Sequence, residues 1–166
     1  MILRMRFSGR LLLAALVLLP PLGAAPLARP EWNRVTVEPM KTSIYVGSVR
    51  LITAEFRKDG DGFSATYAAK VFPWAFWNET GRIHIAIAGD DLARLQRGER
   101  CEFTGEAFNH KEKPRRVTGY ADPESADGST GKIKVRIAFD DMKLTFNGRY
   151  TLSTFTAQPA ADQSAQ

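Results

Sequence analysis

The sequence predicts an all-β domain, either an antiparallel barrel or a two-sheet sandwich of about eight strands, with one short helix. Three observations carry this prediction. Apolar and polar residues alternate along most of the chain after Val35, and a period of two is typical of half-buried strands. Turn residues separate the alternating segments at short, regular intervals. Only one segment carries the signals of a helix.

The first 24 residues are predicted to be a cleaved signal peptide. An arginine-containing start without acids leads into the unbroken apolar run Leu11–Leu19, and prolines and small residues follow up to Ala24. This is the order of a basic region, an apolar region and a cleavage site. The apolar run is about half of the roughly 20 residues that a membrane span needs. We therefore expect cleavage after Ala24, no transmembrane anchor, and a secreted or periplasmic protein.

Charge and cysteine content restrict the classes of partner and fold. The net charge of +5 falls to +2 once the three arginines of the signal peptide, Arg4, Arg6 and Arg10, are removed. A nucleic-acid-binding protein would need a concentrated basic face, so we expect no nucleic-acid partner. Cys101 is the single cysteine, which excludes an internal disulfide. We expect it to be a small buried side chain on a strand.

The strands are predicted from the alternation. The clearest is Lys132–Phe139, and Arg82–Ala88 and Lys143–Leu152 repeat its pattern. Further strands are predicted at Thr42–Val46, Arg50–Arg57, Phe63–Phe72, Glu102–Phe108 and Arg116–Ala121. The segment Asp59–Gly62 has the glycine and aspartate content of a tight hairpin turn.

One short helix and the limits of the domain complete the prediction. Asp90–Gly98 begins with acids and ends with arginine and glycine, as helices commonly do. Arg29–Arg34 leads into a single domain over residues 33–155, which we expect to be a monomer. Residues 156–166 are polar, alanine-rich and without a period, so a disordered tail is predicted.

Two segments 50 residues apart resemble each other. Gly81–Leu92 and Gly131–Met142 each follow a threonine and contain a base, three β-branched residues in alternation and an Asp-Asp pair. Amphipathic strands in general explain the alternation but not the flanking residues. We therefore predict that the domain consists of two duplicated meanders, with the two Asp-Asp pairs at equivalent strand ends.

The sequence contains no pattern that specifies a catalytic or metal site. Asp90-Asp91 and Asp140-Asp141 could hold Ca²⁺ only with more oxygen ligands at short spacing. His84 and His110 stand alone, whereas zinc needs three or four convergent ligands. We therefore predict no catalytic residue, no metal and no cofactor. A pair of carboxylates assembled by folding stays open as a hydrolase alternative.

The strongest functional signal is the aromatic segment, which places four rings within six residues: Phe72, Trp74, Phe76 and Trp77. In an extended chain the first three share one face and Trp77 takes the other. Pro73 removes a ladder donor, which favours an edge or a rim. The rings either fill one end of the barrel as a plug or form a binding lip for an apolar or sugar-like ligand or a partner protein.

Two fragments, Phe103–Gly105 and Val117–Gly119, resemble segments of an exported lipocalin-like family of small β-barrels that binds polyisoprenoids. The resemblance covers six residues, and we assign neither membership of that family nor any binding residue from it.

The sequence thus favours an exported, non-catalytic binding or scaffolding domain over an enzyme. Its ligand or partner, an apolar or sugar-like molecule or an envelope protein, would contact the four aromatic residues. The alternatives are a carboxylate-based hydrolase of the cell envelope or extracellular space, and a purely structural envelope protein without a small ligand.

Overall fold

A computed structural model describes residues 31–139 and 142–154. The predicted signal peptide, Asp140, Asp141 and the predicted tail therefore lie outside the described residues. The described part is an antiparallel barrel, which confirms the all-β prediction and selects the barrel over the sandwich. Ten strand segments are connected as follows: β1 (Arg34–Val37), β2 (Met40–Ile44), β3 (Gly47–Thr53), β4 (Phe56–Asp59), β5 (Gly62–Phe72), β6 (Glu79–Ala86), β7 (Cys101–Asn109), β8 (Pro114–Pro123), β9 (Thr130–Phe139) and β10 (Met142–Ser153).

Eight of these strands form a closed ring in the order β5-β4-β1-β10-β9-β8-β7-β6, and the ring closes where β6 pairs with β5. The segments β2 and β3 extend it at one end. Val35 is opposite Phe56 and Met40 is opposite Leu51 in one antiparallel register, so β1 with β2 and β3 with β4 form a single interrupted hairpin.

Local sequence explains both interruptions. Pro39 lacks the backbone donor that would continue the ladder from β1 to β2. Between β3 and β4 one extra residue is accommodated against β5, because Thr53 is opposite Tyr67 whereas Arg57 is opposite Ser64. An extra residue of this kind is a β-bulge, which bends the strand. The predicted strand Arg50–Arg57 is therefore two segments.

The alternation places the core as predicted. Val135 and Ile137 on β9, Ile83 and Ile85 on β6, and Phe146 on β10 are buried in the barrel interior. Cys101 is also buried and begins β7, which confirms the prediction of a small buried side chain on a strand. Burial raises the pKa of its thiol to about 11. Sequence reasoning missed Trp32, which precedes β1 and is only 3% exposed.

The two ends of the barrel differ. The closed end carries the turns after β4 and β8 and the helix α1 (Gly89–Leu95), which confirms the predicted helix. Leu95 and Leu92 of this helix pack against the core. The open end carries the β2–β3 turn, the β5–β6 connection and the β7–β8 turn, and β9 ends and β10 begins there.

The two similar segments lie on the strands β6 and β9. β6 and β9 are separated by two antiparallel neighbours and therefore run in opposite directions. Asp90 and Asp91 begin α1 at the closed end, whereas β9 ends with Phe139 at the open end. The duplication of two meanders therefore stays a prediction, and Asp140-Asp141 lies outside the described residues.

Two glycines in the left-handed region give a matched test of packing at the closed end. A Cβ on Gly128 (φ +75°) would lie 1.8 Å from the Leu95 carbonyl oxygen, whereas a Cβ on Gly60 (φ +60°) would meet nothing within 4 Å. We expect Gly60→Ala to lower the free energy of unfolding by about 1 kcal/mol, the conformational cost alone. Gly128→Ala should cost roughly 3 kcal/mol, because α1 must also shift. Urea unfolding of both variants checks this, and equal losses would contradict the packing of α1 on this turn.

Candidate functional site

The site is built on the open end of the barrel, where the aromatic segment connects β5 to β6. The segment is not extended as predicted. Ala75–Trp77 form a 3-10 turn in which the Trp77 amide donates to the Trp74 carbonyl oxygen at 3.0 Å. The Phe72–Pro73 peptide is cis. The Asn78 side-chain oxygen accepts a hydrogen bond from the Val71 amide at 2.8 Å and closes the loop.

The turn brings three of the predicted rings together. Phe76 and Trp77 meet edge to face with centroids 5.2 Å apart, and Trp74 lies 5.8 Å from Phe76 and 6.1 Å from Trp77. The exposed fractions are 73% for Phe72, 40% for Trp74, 73% for Phe76 and 53% for Trp77. The rings therefore pack on one another and face solvent. The structure does not support the plug, since none of the four is buried in the barrel.

These four residues, with Tyr45 and Val46, are called the aromatic rim. Tyr45 and Val46 form the β2–β3 turn and are fully and half exposed. They adjoin the aromatic segment, because Ser48 pairs with Phe72. Sequence reasoning extended the strand through Val46 and so missed that both side chains lie in a turn. The signal was the next residue, Gly47, which ends the alternation.

Exposed hydrophobic side chains are confined to this end. Within residues 31–139 and 142–154, the large apolar residues classed as exposed are the aromatic rim and Met142 at the start of β10. Single exposed apolar residues are ordinary on protein surfaces, but a contiguous group marks an interaction site. All of them cluster at the open end, which makes this end the candidate contact surface.

The rim borders a cleft of about 490 Å³, called the open-end cleft. On this side β10 pairs with β1 along Tyr150–Ser153, and no ladder joins β10 to β2 in the described residues. Met40 crosses above Gly148, where any Cβ would lie 2.5 Å from its Cγ. The cleft is lined mostly by apolar side chains: Ile44, Val49, Ala69, Val71, Trp77, Phe139, Met142 and Leu144.

Glu79 and Arg115 are the charged residues of the cleft lining, and their side chains are 13% and 8% exposed. Arg115 Nη2 lies 3.3 Å from Glu79 Oε2. The Tyr67 hydroxyl donates to Glu79 Oε1 at 2.6 Å, and Asn109 Nδ2 donates to Oε2 at 2.9 Å. The Arg115 guanidinium also lies 5.0 Å from the centre of the Phe139 ring. This group is called the Glu79 network.

The network fixes the charge of Glu79. Burial alone would raise the pKa of this carboxyl, but hydrogen bonds from Tyr67, Asn109 and Arg115 outweigh burial and lower its pKa. Burial and the bond to Glu79 raise the pKa of Tyr67. Glu79 is therefore a carboxylate and Tyr67 a neutral donor near neutral pH. A lowered pKa is the opposite of what a general acid needs.

The barrel interior away from this cleft is nearly filled. It contains an apolar cavity of about 70 Å³, among whose lining residues are Phe63, Phe103 and Leu95. A single water needs roughly 10–15 Å³ of such space, and ligand pockets measure roughly 300–1,000 Å³. The interior is therefore core. The open-end cleft is within the range of ligand pockets, as are depressions elsewhere on the surface, so its apolar lining rather than its volume distinguishes it.

Ser64, His84 and Asp59 form a hydrogen-bonded chain on the outer face. Ser64 Oγ donates to Asp59 Oδ2 at 2.9 Å and lies 2.9 Å from His84 Nδ1. In a catalytic triad the histidine is central and takes the proton of the serine. Here the serine is central and its proton is directed to the aspartate. The connectivity is therefore that of a surface hydrogen-bond chain.

The remaining candidate ligands stay apart. His110 is exposed in the β7–β8 turn, whereas His84 lies within the paired part of β6. Asp91 lies 3.4 Å from Arg94 within α1. Residues 31–139 and 142–154 contain no group of three or more histidine, cysteine or acidic side chains that could hold a metal ion.

Comparison with known proteins adds no assignment: no protein family model, no curated protein and no solved structure matches this chain. In the same described residues, no helix has the length and apolar character needed to cross a membrane. The function is therefore argued from the geometry of the open end.

Proposed function

We propose that this protein is an exported, non-catalytic binding module that holds an apolar ligand in the open-end cleft, under the aromatic rim. One observation carries the proposal: the exposed large apolar side chains of the described residues all lie at the open end, and two of them, Trp77 and Met142, line an apolar cleft there. Rigid aromatic rings supply contact area at a low entropy cost. The proposed export rests on the sequence of residues 1–24 alone.

The lining favours an apolar ligand over a sugar. A sugar presents many hydroxyl groups, and each loses hydrogen bonds to water unless the site replaces them. The described lining offers mainly aliphatic carbon, and the carboxylate of Glu79 already accepts bonds from Tyr67, Asn109 and Arg115. An alkyl or ring-containing hydrocarbon loses no hydrogen bonds to water when it enters the cleft. Burial of its apolar surface there is favourable.

The hydrolase alternative receives less support. It needs two carboxylates in one pocket, one of them with a raised pKa. Glu79 is the acid in the described lining of the cleft, and its pKa is lowered. A purely structural envelope protein would bind no small apolar molecule, so the experiment below separates it from the proposal.

Adjacent alanines give the test. Ala69 lines the cleft, and Ala68 is the next residue on β5 and points to the outer face opposite Ile52. We expect wild-type protein to bind dansylated undecanoic acid, measured by dansyl fluorescence. Ala69→Phe should weaken binding at least about tenfold, or about 1.4 kcal/mol, because the ring occupies the cleft. Ala68→Phe should leave binding within about twofold of the wild type.

A second blocking variant guards against misfolding. Val71 also lines the cleft and is half-buried, so Val71→Phe should fill the same cleft. This variant replaces Ala69→Phe in the experiment if circular dichroism shows that Ala69→Phe is unfolded. Absence of wild-type binding overturns the proposal for alkyl ligands. Unchanged binding in both folded blocking variants would show that the probe binds elsewhere.

A further inference from the structure

A row of three bases crosses the outer face beside the aromatic rim. Lys41 on β2 is directly opposite Arg50 on β3, and Arg50 is directly opposite Lys70 on β5. All three are exposed. In the described residues, no ion pair joins any of them to an acid. This group is called the basic row.

The basic row departs from the pattern of the rest of the outer face. Two other pairs of bases are directly opposite each other, Arg34 with Arg57 and Lys132 with Arg149. Each of these pairs shares an acid, Glu55 in the first and Glu124 in the second. Like charges directly opposite one another destabilise a sheet. A row of three bases without an acid therefore does not stabilise the fold, and it is the arrangement that an external anion would complement.

The basic row lies farther from the open end of the barrel than the exposed rings do. Lys70 precedes Phe72 by two residues on β5, which is roughly 7 Å along a strand. The same depression on the surface contains all three bases together with Phe72 and Asn78. The order from the open end inward is thus exposed aromatic side chains, then cations.

This order matches the interface of a lipid bilayer. The headgroup layer on each side of the hydrocarbon is roughly 5–7 Å thick. Tryptophan and tyrosine favour this interface, where their apolar rings and polar edges are both accommodated. Lysine and arginine near the surface are attracted to anionic lipids. Rings inserted at the headgroup boundary would place the basic row at the level of the lipid phosphates.

We propose that the open end docks on a bilayer surface that contains anionic phospholipid, with the aromatic rim inserted and the basic row against the phosphates. The docked protein is peripheral and needs no spanning segment. The inference goes beyond ligand binding in the cleft, and the two are separable, because the basic row lies on the outer face and the cleft lining faces inward.

Vesicle flotation tests the docking. Full-length processed protein is mixed with phosphatidylcholine vesicles or with vesicles that also contain phosphatidylglycerol. We expect flotation with the anionic vesicles, at least about tenfold weaker flotation with the neutral ones, and loss of binding at high salt. Lys41→Gln/Arg50→Gln/Lys70→Gln should lower anionic-vesicle binding at least about tenfold while leaving dansylated undecanoic acid binding unchanged.

A second triple variant provides a control of equal charge. Lys132→Gln/Lys134→Gln/Arg136→Gln removes three bases from the outer face of β9, and it should retain vesicle binding. Brominated lipids should quench Trp74 and Trp77 but not the buried Trp32. Equal losses of vesicle binding in the two triple variants would show that binding depends on net charge alone and would overturn the proposal. Absence of wild-type flotation, or flotation without quenching, would overturn it as well.

Discussion

Replacing both exposed tryptophans, Trp74→Ala/Trp77→Ala, should weaken the binding of dansylated undecanoic acid at least about tenfold and leave the fold intact. Trp77 lines the cleft. The ring of Trp74 packs against the ring of Trp77, with the two centroids 6.1 Å apart. Their indoles contact neighbouring rings and solvent, so their removal creates no cavity in the core. We therefore expect binding and stability to respond independently.

Trp32 supplies the internal comparison. It is the remaining tryptophan of the chain and is only 3% exposed in the core. Trp32→Ala should lower the free energy of unfolding by roughly 3–5 kcal/mol, since truncating a buried ring leaves a cavity. The double variant should stay within about 1 kcal/mol of the wild type, as surface substitutions usually do.

Urea unfolding and the fluorescence titration together decide this prediction. If Trp74→Ala/Trp77→Ala unfolds as readily as Trp32→Ala, the rings are part of the core and the binding proposal fails. If the double variant is stable and binds the probe with the affinity of the wild type, the rim takes no part in binding.

Glu79→Gln should lower the free energy of unfolding by about 3 kcal/mol at neutral pH. The substitution removes the charge that faces Arg115 in a buried pair, and breaking such a pair is strongly destabilising. It also places an amide where the carboxylate accepts bonds from Tyr67 and Asn109. An NH₂ group cannot accept, so one donor loses its partner.

The loss should depend on pH in one direction. The pKa of Glu79 is lowered below its ordinary value of 4.5 in the folded protein. The stability that its charge contributes is therefore fully present above the unfolded pKa and is lost as pH falls through the folded pKa. The difference between wild type and Glu79→Gln should be largest above pH 4.5 and should shrink below it, because the carboxyl is protonated first in the unfolded chain and, at lower pH, in the folded protein too.

Denaturant unfolding at several pH values measures both effects, and Glu112→Gln is the matched control. Glu112 pairs with Arg82 on the surface, where both side chains are more than 60% exposed, so its loss should cost less than about 1 kcal/mol. A constant difference for Glu79→Gln at all pH values would contradict a role for the charge, and equal effects in the two variants would contradict burial of the network.

Alternation of apolar residues predicted most of the barrel, because each strand buries one face. Lys132–Phe139 is almost the observed β9, and Asp90–Gly98 covers α1 except for its first residue, Gly89. The same rule could not locate the break at Pro39 or the bulge before Phe56, since both depend on how neighbouring strands align. Both irregularities shape the open end, so the site was harder to predict than the fold.

The aromatic segment was predicted as the contact surface, but its geometry was not. An extended reading placed Trp77 on the opposite face from Trp74. The 3-10 turn, closed by the Asn78 side chain on the Val71 amide, brings the two rings together instead. That bond joins residues seven positions apart and follows from a side-chain preference that periodicity does not measure.

The Glu79 network was missed although the sequence carried a signal for it. Glu79 is in phase with the buried Ile83 and Ile85 on β6, and Arg115 is in phase with the buried Val117 on β8. A polar residue on the apolar face of a strand predicts a buried polar group that needs partners. The partners lie on other strands, and the closure of the barrel decides which of their groups come within reach. The sequence of a single strand does not specify that closure.

The most direct test of the open end as the binding surface is an NMR titration of the three indole N–H signals with dansylated undecanoic acid. The chain has three tryptophans, two on the aromatic rim and one in the core. We predict that the Trp74 and Trp77 signals shift in a saturable way and that the Trp32 signal does not move. Binding that shifts Trp32 and leaves the two rim indoles in place would contradict the central claim.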